Sequence, residues 1–406
     1  MGKVRRQGGD YREGSISGCE LARDDTPCSG SKDILISTEV LLWDSKANLK
    51  QGALMDSLIK SWGGEEVIIR HDQATGAWIL IAIHSTRLGP AAGGTRMKPY
   101  SDFQAALQDV LRLSEAMTYK FAVPGIPRGG GKAVINLPAH FAPGQRPDLL
   151  RRYGSLVRQL SGLYYTGPDV GTSSYDMNII SETGSPYVFG RTPEAGGAGD
   201  SGPITGLGVF AGIQVVCERL FGNPSPRNRR ILVQGAGSVG QTLMDLLQRA
   251  GAEVWFTDVL ESVICRFRDE KGFRCIPSDS VYGIECDIFS PCALGGILNT
   301  ATIPQLKCKA VAGGANNQFA RPEDAELLSK RGILYAPDYV INAGGAIGIP
   351  AIEALGWSRE RAEKEVAGSI QRALRRIFEM SDSEGITTDV AARRLAEERL
   401  AAKAER

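Results

Sequence analysis

One segment restricts the fold of this chain more than any other. Gly235-Ala-Gly-Ser-Val-Gly240 directly follows Arg230-Ile-Leu-Val-Gln234, an apolar run of strand character, and opens the helical pattern QTLMDLLQRAG. After that helix, Ala252-Glu-Val-Trp-Phe-Thr-Asp258 reads as a second strand ending in an acid, 23 positions after Gly235 (258 − 235). A bare GxGxxG is a weak signal, but strand, glycines, helix, strand and acid in this order describe a dinucleotide-binding βαβ unit. The glycines have separable tasks: Gly235 allows the tight turn, Gly237 lets a pyrophosphate approach the backbone, and Gly240 permits close helix–strand packing. Ala236, Ser238 and Val239 complete the turn, where helix N-terminal amides can receive the phosphates. Asp258 is expected to accept hydrogen bonds from an adenosine ribose and to repel a 2′-phosphate, so NAD is the expected cofactor rather than NADP. A surface carboxylate that merely ends a strand is the plainer alternative for Asp258, and the ordered context outweighs it.

The rest of the chain sets limits. A length of 406 residues implies two or three domains at roughly 100–200 residues each. Hydrophobic residues at 42% and charged residues at 23% are ordinary globular usage. With 47 basic against 46 acidic residues there is no global field to attract nucleic acid or an anionic membrane, and neither is an expected partner. Apolar runs such as Trp78–Ile83 fall far short of the ~20 residues a membrane span needs. The eight cysteines include no C-x-x-C, so neither a zinc site nor a disulfide framework is read, and no metal is expected. Dispersed thiols and an N-terminus without an apolar signal core point to a cytoplasmic protein.

Residues 1–50 begin with a Gly-, Ser-, Asp- and Arg-rich stretch and read as a disordered N-terminal extension. Strand-like runs at 66–70 and 78–83 flank turn residues, a helical pattern covers 102–117 with Asp102 at its start, and 132–137, 148–161 and 164–166 continue as strand, helix and strand. Glu194-Ala-Gly-Gly-Ala-Gly-Asp-Ser-Gly-Pro203 is the most flexible composition inside the ordered part and marks a boundary and hinge. A helix at 204–220 follows it. The expected fold class is α/β with two domains: an N-terminal α/β substrate-binding, catalytic and oligomerisation domain over 51–193 and a Rossmann-type NAD-binding domain over 194–345. C-terminal helices over 346–406 are expected to pack back on the cleft and the first domain.

The remaining chemistry lies in the N-terminal half. Met117-Thr-Tyr-Lys120 precedes Gly129-Gly-Gly-Lys132, with twelve positions between the lysines (132 − 120), and Thr166-Gly-Pro-Asp169 follows. Ala133 after Lys132 excludes the phosphate loop GxxxxGK[ST]. A single lysine is most often a solvated surface charge. Three glycines beside one argue instead for a crowded backbone and a desolvated amine, usable as a base near neutral pH. Asp169 is equally readable as a strand-terminal turn carboxylate. His71, His84 and His140 show neither metal-ligand spacing nor an acid partner, so catalysis is expected to run on lysine and aspartate.

These segments, together with Leu88–Arg96, Leu111–Lys120, Gly167–Gly171, Gly196–Asp200, Asp287–Gly296, Ala312–Gln318 and Gly332–Gly345, resemble the Glu/Leu/Phe/Val dehydrogenase family. The likeness runs in order from about residue 60 to the C-terminus and is nearer the leucine, valine and phenylalanine enzymes than the glutamate enzymes. It implies NAD-dependent reversible oxidative deamination of an L-amino acid to a 2-oxo acid and ammonia, in a homo-oligomer. It further implies that Lys120 binds the substrate α-carboxylate beside Met117, that Lys132 is the catalytic lysine, and that Asp169 is its proton-transfer partner. Gly93 and Gly94 would let substrate approach the backbone, while Thr205 and Asn317 would contact the nicotinamide end or the substrate amine. Cys292 is implied to be a packing residue. The side-chain pocket corresponds to Ala92, Gly167, Ala346 and Ile349, and the small residues at the first three of these leave volume for an aromatic ring, so L-phenylalanine or another large apolar side chain is expected. A leucine/valine dehydrogenase, an aromatic amino acid dehydrogenase of a biosynthetic pathway, and an inactive NAD-binding regulatory paralogue are the alternatives. Intact Lys120, Lys132 and Asp169 argue against the last.

Overall fold

The hairpin expected near residues 66–83 forms as β1 (Glu66–Asp72) and β2 (Ala77–Ser85), paired antiparallel around a turn closed by Gly76. The computed structural model describes residues 55–404, and the N-terminal extension read over 1–50 lies outside them. The chain continues through β3 (Ala91–Lys98), α1 (Phe103–Ala122), β4 (Gly129–Asn136), α2 (Arg146–Gln159), β5 (Tyr164–Pro168) and α3 (Ser174–Gly184). The five strands lie in the order β1-β2-β4-β3-β5, with β3 parallel to both β4 and β5. Helix α1 starts where Asp102 accepts a bond from the Ala105 amide at 2.7 Å, a cap worth about 1 kcal/mol.

Strand alternation decides what each face of this sheet carries. Leu80, Ala82 and Val134 pack under Ala106, Leu107, Val110 and Leu111 of α1. Ile79, Ile81, Ala133, Ile135 and Tyr164 point the other way, onto Leu149, Tyr153 and Val157 of α2 and Met177 and Ile180 of α3. Each fully buried Leu, Ile or Phe contributes roughly 1.5–3 kcal/mol. The β3·β4 ladder is interrupted between the pairs Ala92–Gly130 and Thr95–Ala133, at Gly93 and Gly94.

The chain goes on through α4 (Gly202–Phe221), β6 (Arg230–Gln234), α5 (Ser238–Arg249), β7 (Glu253–Thr257), α6 (Glu261–Cys265), β8 (Arg274–Cys275), β9 (Ile288–Pro291), β10 (Ala310–Val311), α7 (Asp324–Lys330) and β11 (Leu334–Tyr335). These strands form a second sheet, wholly parallel, in the order β11-β10-β9-β6-β7-β8. The βαβ unit read from the sequence is β6–α5–β7, the two strands adjacent and in register from Arg230–Glu253 to Gln234–Thr257. Helix α4 is long and apolar enough to cross a membrane by composition. Here it is a core helix, with Ile204, Val209, Ile213, Val216 and Cys217 buried.

Helices α8 (Asp338–Ile341), α9 (Gly344–Leu355), α10 (Arg359–Glu384) and α11 (Thr388–Ala404) complete the chain. From α11, Arg399 donates to the carbonyls of Ala122 and Val123 at the end of α1. Between the sheets, the buried Glu353 of α9 accepts bonds at 2.8 Å from the amides of Gly190 and Ala198, on either side of the Pro193–Ala195 turn.

Candidate active site

The interrupted strand pairing and the alternation of side chains assemble one cluster. Ala92, Gly94 and Arg96 of β3, Lys132 of β4, and Tyr165, Gly167 and Asp169 along and just past β5 share the face covered by α1, because paired residues of parallel strands point the same way. From α1, Leu113, Met117 and Lys120 lie on one stripe at spacings of four and three. A cleft of about 590 Å³ is lined by these residues on one side, and by Gly314, Asn317, Asn342, Ala346 and Ile349 on the other. Thr205 and Val239 line it too. Of the residues singled out in the sequence, the cleft unites Ala92, Gly93, Gly94, Met117, Lys120, Lys132, Gly167, Asp169, Thr205, Val239, Asn317, Ala346 and Ile349. Gly235, Ala236, Gly237, Ser238, Gly240 and Asp258 fall outside its lining, in the neighbouring turn at the C-terminal ends of β6 and β7. No histidine lines it.

The glycines before Lys132 have a steric reason. A Cβ on Gly130 would stand 2.2 Å from the Thr118 amide nitrogen, so glycine lets α1 lie against β4 and brings Lys120 toward Lys132. On Gly94 it would stand 2.9 Å from the Asp169 Cβ and 2.6 Å from the Pro168 carbonyl oxygen. On Gly93 it would meet the Gly131 carbonyl oxygen. All three glycines are thus required first by the protein's own backbone.

Charge fixes the rest. Lys132, only 6% exposed, places Nζ 2.9 Å from Asp169 Oδ2. Burial alone would raise the Asp169 carboxyl, but the Lys132 ammonium and then the Arg96 guanidinium outweigh it and bring it down to about 2. Among the described residues, Lys120 has no carboxylate within salt-bridge distance. Lost solvation, then the neighbouring Lys132 charge, lower it to about 8, against the opposing pull of Asp338 and Asp169. Across the cleft, burial pushes Asp338 up to about 6, although it accepts bonds from the amides of Gln318 (2.8 Å) and Tyr339 (2.6 Å). Asn342 donates to Asn316 Oδ1 at 2.7 Å, while its own Oδ1 is buried without a partner among the described residues. Cys292 accepts from the Gly314 amide, and burial raises its thiol above the usual value, consistent with packing rather than attack.

The glycine turn is tight at two of its glycines and open at the third. Gly235 takes φ +95, in the left-handed region, and a Cβ on it would meet Ala293. One on Gly240 would stand 1.9 Å from the Gly235 carbonyl oxygen, which binds helix to turn. One on Gly237 would meet nothing within 4 Å, so open space lies before the amides at the start of α5. Asp258 accepts from the amides of Val259 (2.8 Å) and Leu260 (3.0 Å) at Oδ1 and from Ala236 (2.8 Å) at Oδ2, bracing the turn while Oδ2 retains a lone pair. Ser238 donates to Asp200, whose other oxygen accepts from the Gly202 amide at 2.9 Å.

Sequence reasoning did not find Arg96, Asp109, Asp338 or Asn342. Arg96, Asp338 and Asn342 fall inside the segments that carry the family likeness. The pairing of Arg96 with Asp169, 73 positions away, is a product of strand order.

A βαβ nucleotide turn beside a cleft that holds two lysines and an ionised aspartate is the arrangement of a dehydrogenase. Residues 68–185 match the family described as Glu/Leu/Phe/Val dehydrogenase, dimerisation domain, and residues 256–406 match Glutamate/Leucine/Phenylalanine/Valine dehydrogenase. The chain is 42% identical to leucine dehydrogenase of Geobacillus stearothermophilus over 84% of its length and 92% of that protein. It is likewise 42% identical to phenylalanine dehydrogenase of Bacillus thermotolerans over 84% and 90%. The crystal structure of L-tryptophan dehydrogenase from Nostoc punctiforme superposes with a TM-score of 0.74 at 40% identity, covering 86% of this chain and 99% of that one. The chain belongs to the Glu/Leu/Phe/Val dehydrogenase family: it is an amino acid dehydrogenase, an oxidoreductase of oxidative deamination.

Proposed function

We propose that this chain catalyses the NAD-dependent, reversible oxidative deamination of L-phenylalanine or another large apolar L-amino acid, yielding the 2-oxo acid and ammonia. The observation that carries the reading is the Lys132–Asp169 pair at 2.9 Å, in one cleft with Lys120 and Thr205. NAD, when bound, accepts the hydride from the substrate Cα. Gly237 and the first amides of α5 would hold its pyrophosphate, Asp258 its ribose, and Thr205 and Asn317 the nicotinamide end. Lys120 receives the α-carboxylate beside Met117, Gly93 and Gly94. Lys132 polarises the developing carbonyl and activates the water that attacks the imino carbon, while Asp169 exchanges protons with the reacting groups. Closure of the cleft excludes bulk water from these steps.

Ala92, Gly167 and Ala346 support the large side chain, since these three small residues line the cleft together with Ile349. A leucine preference is the second reading, favoured by the 42% identity to a leucine dehydrogenase. The family description of residues 68–185 supports a homo-oligomer built through that region, and a cytoplasmic enzyme fits bacterial relatives of this kind.

Initial rates with a panel of L-amino acids, each with NAD and with NADP, test the proposal. Highest kcat/KM with phenylalanine or tryptophan and NAD supports it. At least tenfold preference for leucine transfers the assignment to the branched-chain reading, and equal efficiency with NADP removes the role given to Asp258.

A further inference from the structure

Arg96 joins three elements of the cleft wall. Its side chain, 17% exposed, extends from β3 on the same face as Gly94. Nε donates to Asp169 Oδ2 at 3.1 Å, and Nη1 donates to Asp109 Oδ2 on α1 at 2.8 Å. Asp109 is itself fixed, accepting from the Tyr100 hydroxyl at 2.7 Å and from Arg112 at 2.9 Å. The Lys132 ammonium sits on the same Asp169 oxygen that Arg96 holds, Oδ2, at 2.9 Å. Among the described residues no side chain donates to the other oxygen, Oδ1. One carboxylate therefore has an oxygen engaged by two cations and an oxygen that no side chain holds, with the Val170 amide also beside the carboxylate.

We propose that Arg96 is a positioning residue of the reaction: held by Asp109, it pins Asp169 Oδ2 together with Lys132 so that Oδ1 serves as the proton acceptor in the cleft. The inference rests on the reading that Lys132 and Asp169 carry the chemistry. A planar guanidinium suits this task because its fork spans two carboxylates in fixed directions, which a lysine ammonium on a flexible stem cannot do. The same contact ties Asp169, at the end of β5, to α1, the helix that carries Lys120. The charged groups facing Asp169 are Lys132 from β4, Arg96 from β3 and Lys120 from α1, with Asp109 and Arg112 of α1 behind Arg96. Tyr164 lies on the buried opposite face. Loss of Arg96 removes one of the two cations that hold Asp169 ionised, so its carboxyl rises from its present low value.

The test is steady-state kinetics of Arg96→Gln on the intact enzyme with its best amino acid, beside Arg96→Lys and Asp109→Asn. A misplaced proton acceptor is worth about 10- to 100-fold in rate. Arg96→Gln is expected to lose that much kcat, with the amino acid KM and the NADH Kd within about threefold of the parent. Arg96→Lys recovers part of the loss, and Asp109→Asn shows a smaller loss of the same kind. In an Asp169→Asn background Arg96→Gln costs less than about twofold, since it acts through Asp169. Carboxyl carbon-13 NMR of aspartate-labelled enzyme, assigned by the Asp169→Asn difference, shows Asp169 titrating at a higher pH in Arg96→Gln. Losses that multiply in full across the two sites, a rise in KM at constant kcat, or an unmoved Asp169 titration would overturn the proposal. Failure of the underlying reading has a different mark: Lys132→Met retaining turnover.

Discussion

Gly130→Ala is a one-methyl test of how the two lysines are brought together. The added Cβ would stand 2.1 Å from Thr118 Oγ1, 2.2 Å from its nitrogen and 2.5 Å from its Cα. The hydroxyl can rotate away; the nitrogen and Cα are helix backbone and cannot. Ordinary contact begins at 3.4 Å, so α1 must retreat from β4 by about 1.2 Å (3.4 − 2.2) along that line. Lys120 lies two residues beyond Thr118 and moves with the helix, while Lys132 stays on the strand. Overpacking of this kind costs about 1–3 kcal/mol of stability, and a displacement near 1 Å at reacting groups costs about 10²-fold in kcat/KM. Thermal unfolding, kcat/KM and the NADH Kd of the variant are compared with those of Gly144→Ala, where the new methyl meets nothing within 4 Å. The expectation is a lower Tm and a loss of about 10²-fold in kcat/KM for Gly130→Ala, an unchanged NADH Kd, and a silent Gly144→Ala. A Gly130→Ala enzyme within about twofold of the parent would refute the claim that helix–strand distance sets the lysine geometry.

Two other outcomes follow from the cleft. Ala346→Leu intrudes where Ala92 and Gly167 leave room, and should cost phenylalanine about 1–3 kcal/mol more in kcat/KM than it costs leucine; an equal loss for both substrates argues against an aromatic pocket. Lys120 gives a pH signature. Its folded value is lowered to about 8, so the charged form that binds a carboxylate dominates below that pH and is depleted above it. The Kd of 3-phenylpropanoate, measured with NADH bound, should be level at lower pH and weaken about tenfold per pH unit above 8, whereas a Kd level to about pH 10 would remove Lys120 from the carboxylate site.

Much of this was legible in the chain because local chemistry announced it. Arg230–Gln234 is a continuous apolar run between punctuating residues, and the strand has those bounds. Asp102 before a helical stripe is the observed cap. The glycine turn was readable because each glycine meets a specific obstacle or open space. Strand β3 was not legible: Ala91-Ala-Gly-Gly-Thr-Arg-Met-Lys98 has little β propensity, and it is a strand because β4 and β5 flank it on both sides. Strands β10 and β11 are two residues each, too short for any periodicity. The Arg96–Asp169 contact spans 73 positions and exists only once β3 lies between β4 and β5. For Asp258, the sequence offered an acid at a strand end; that three backbone amides already occupy it follows from the turn geometry alone.

The central claim is that the Lys132–Asp169 pair performs amino acid deamination while the glycine turn on the other sheet holds the cofactor. Lys132→Ala tests it most directly, with turnover of the preferred L-amino acid and NADH affinity measured on the same preparation. The account predicts a loss of at least about 10³-fold in kcat across the accessible pH range, with the NADH Kd within about twofold of the parent. Normal deamination by Lys132→Ala at any pH would contradict it.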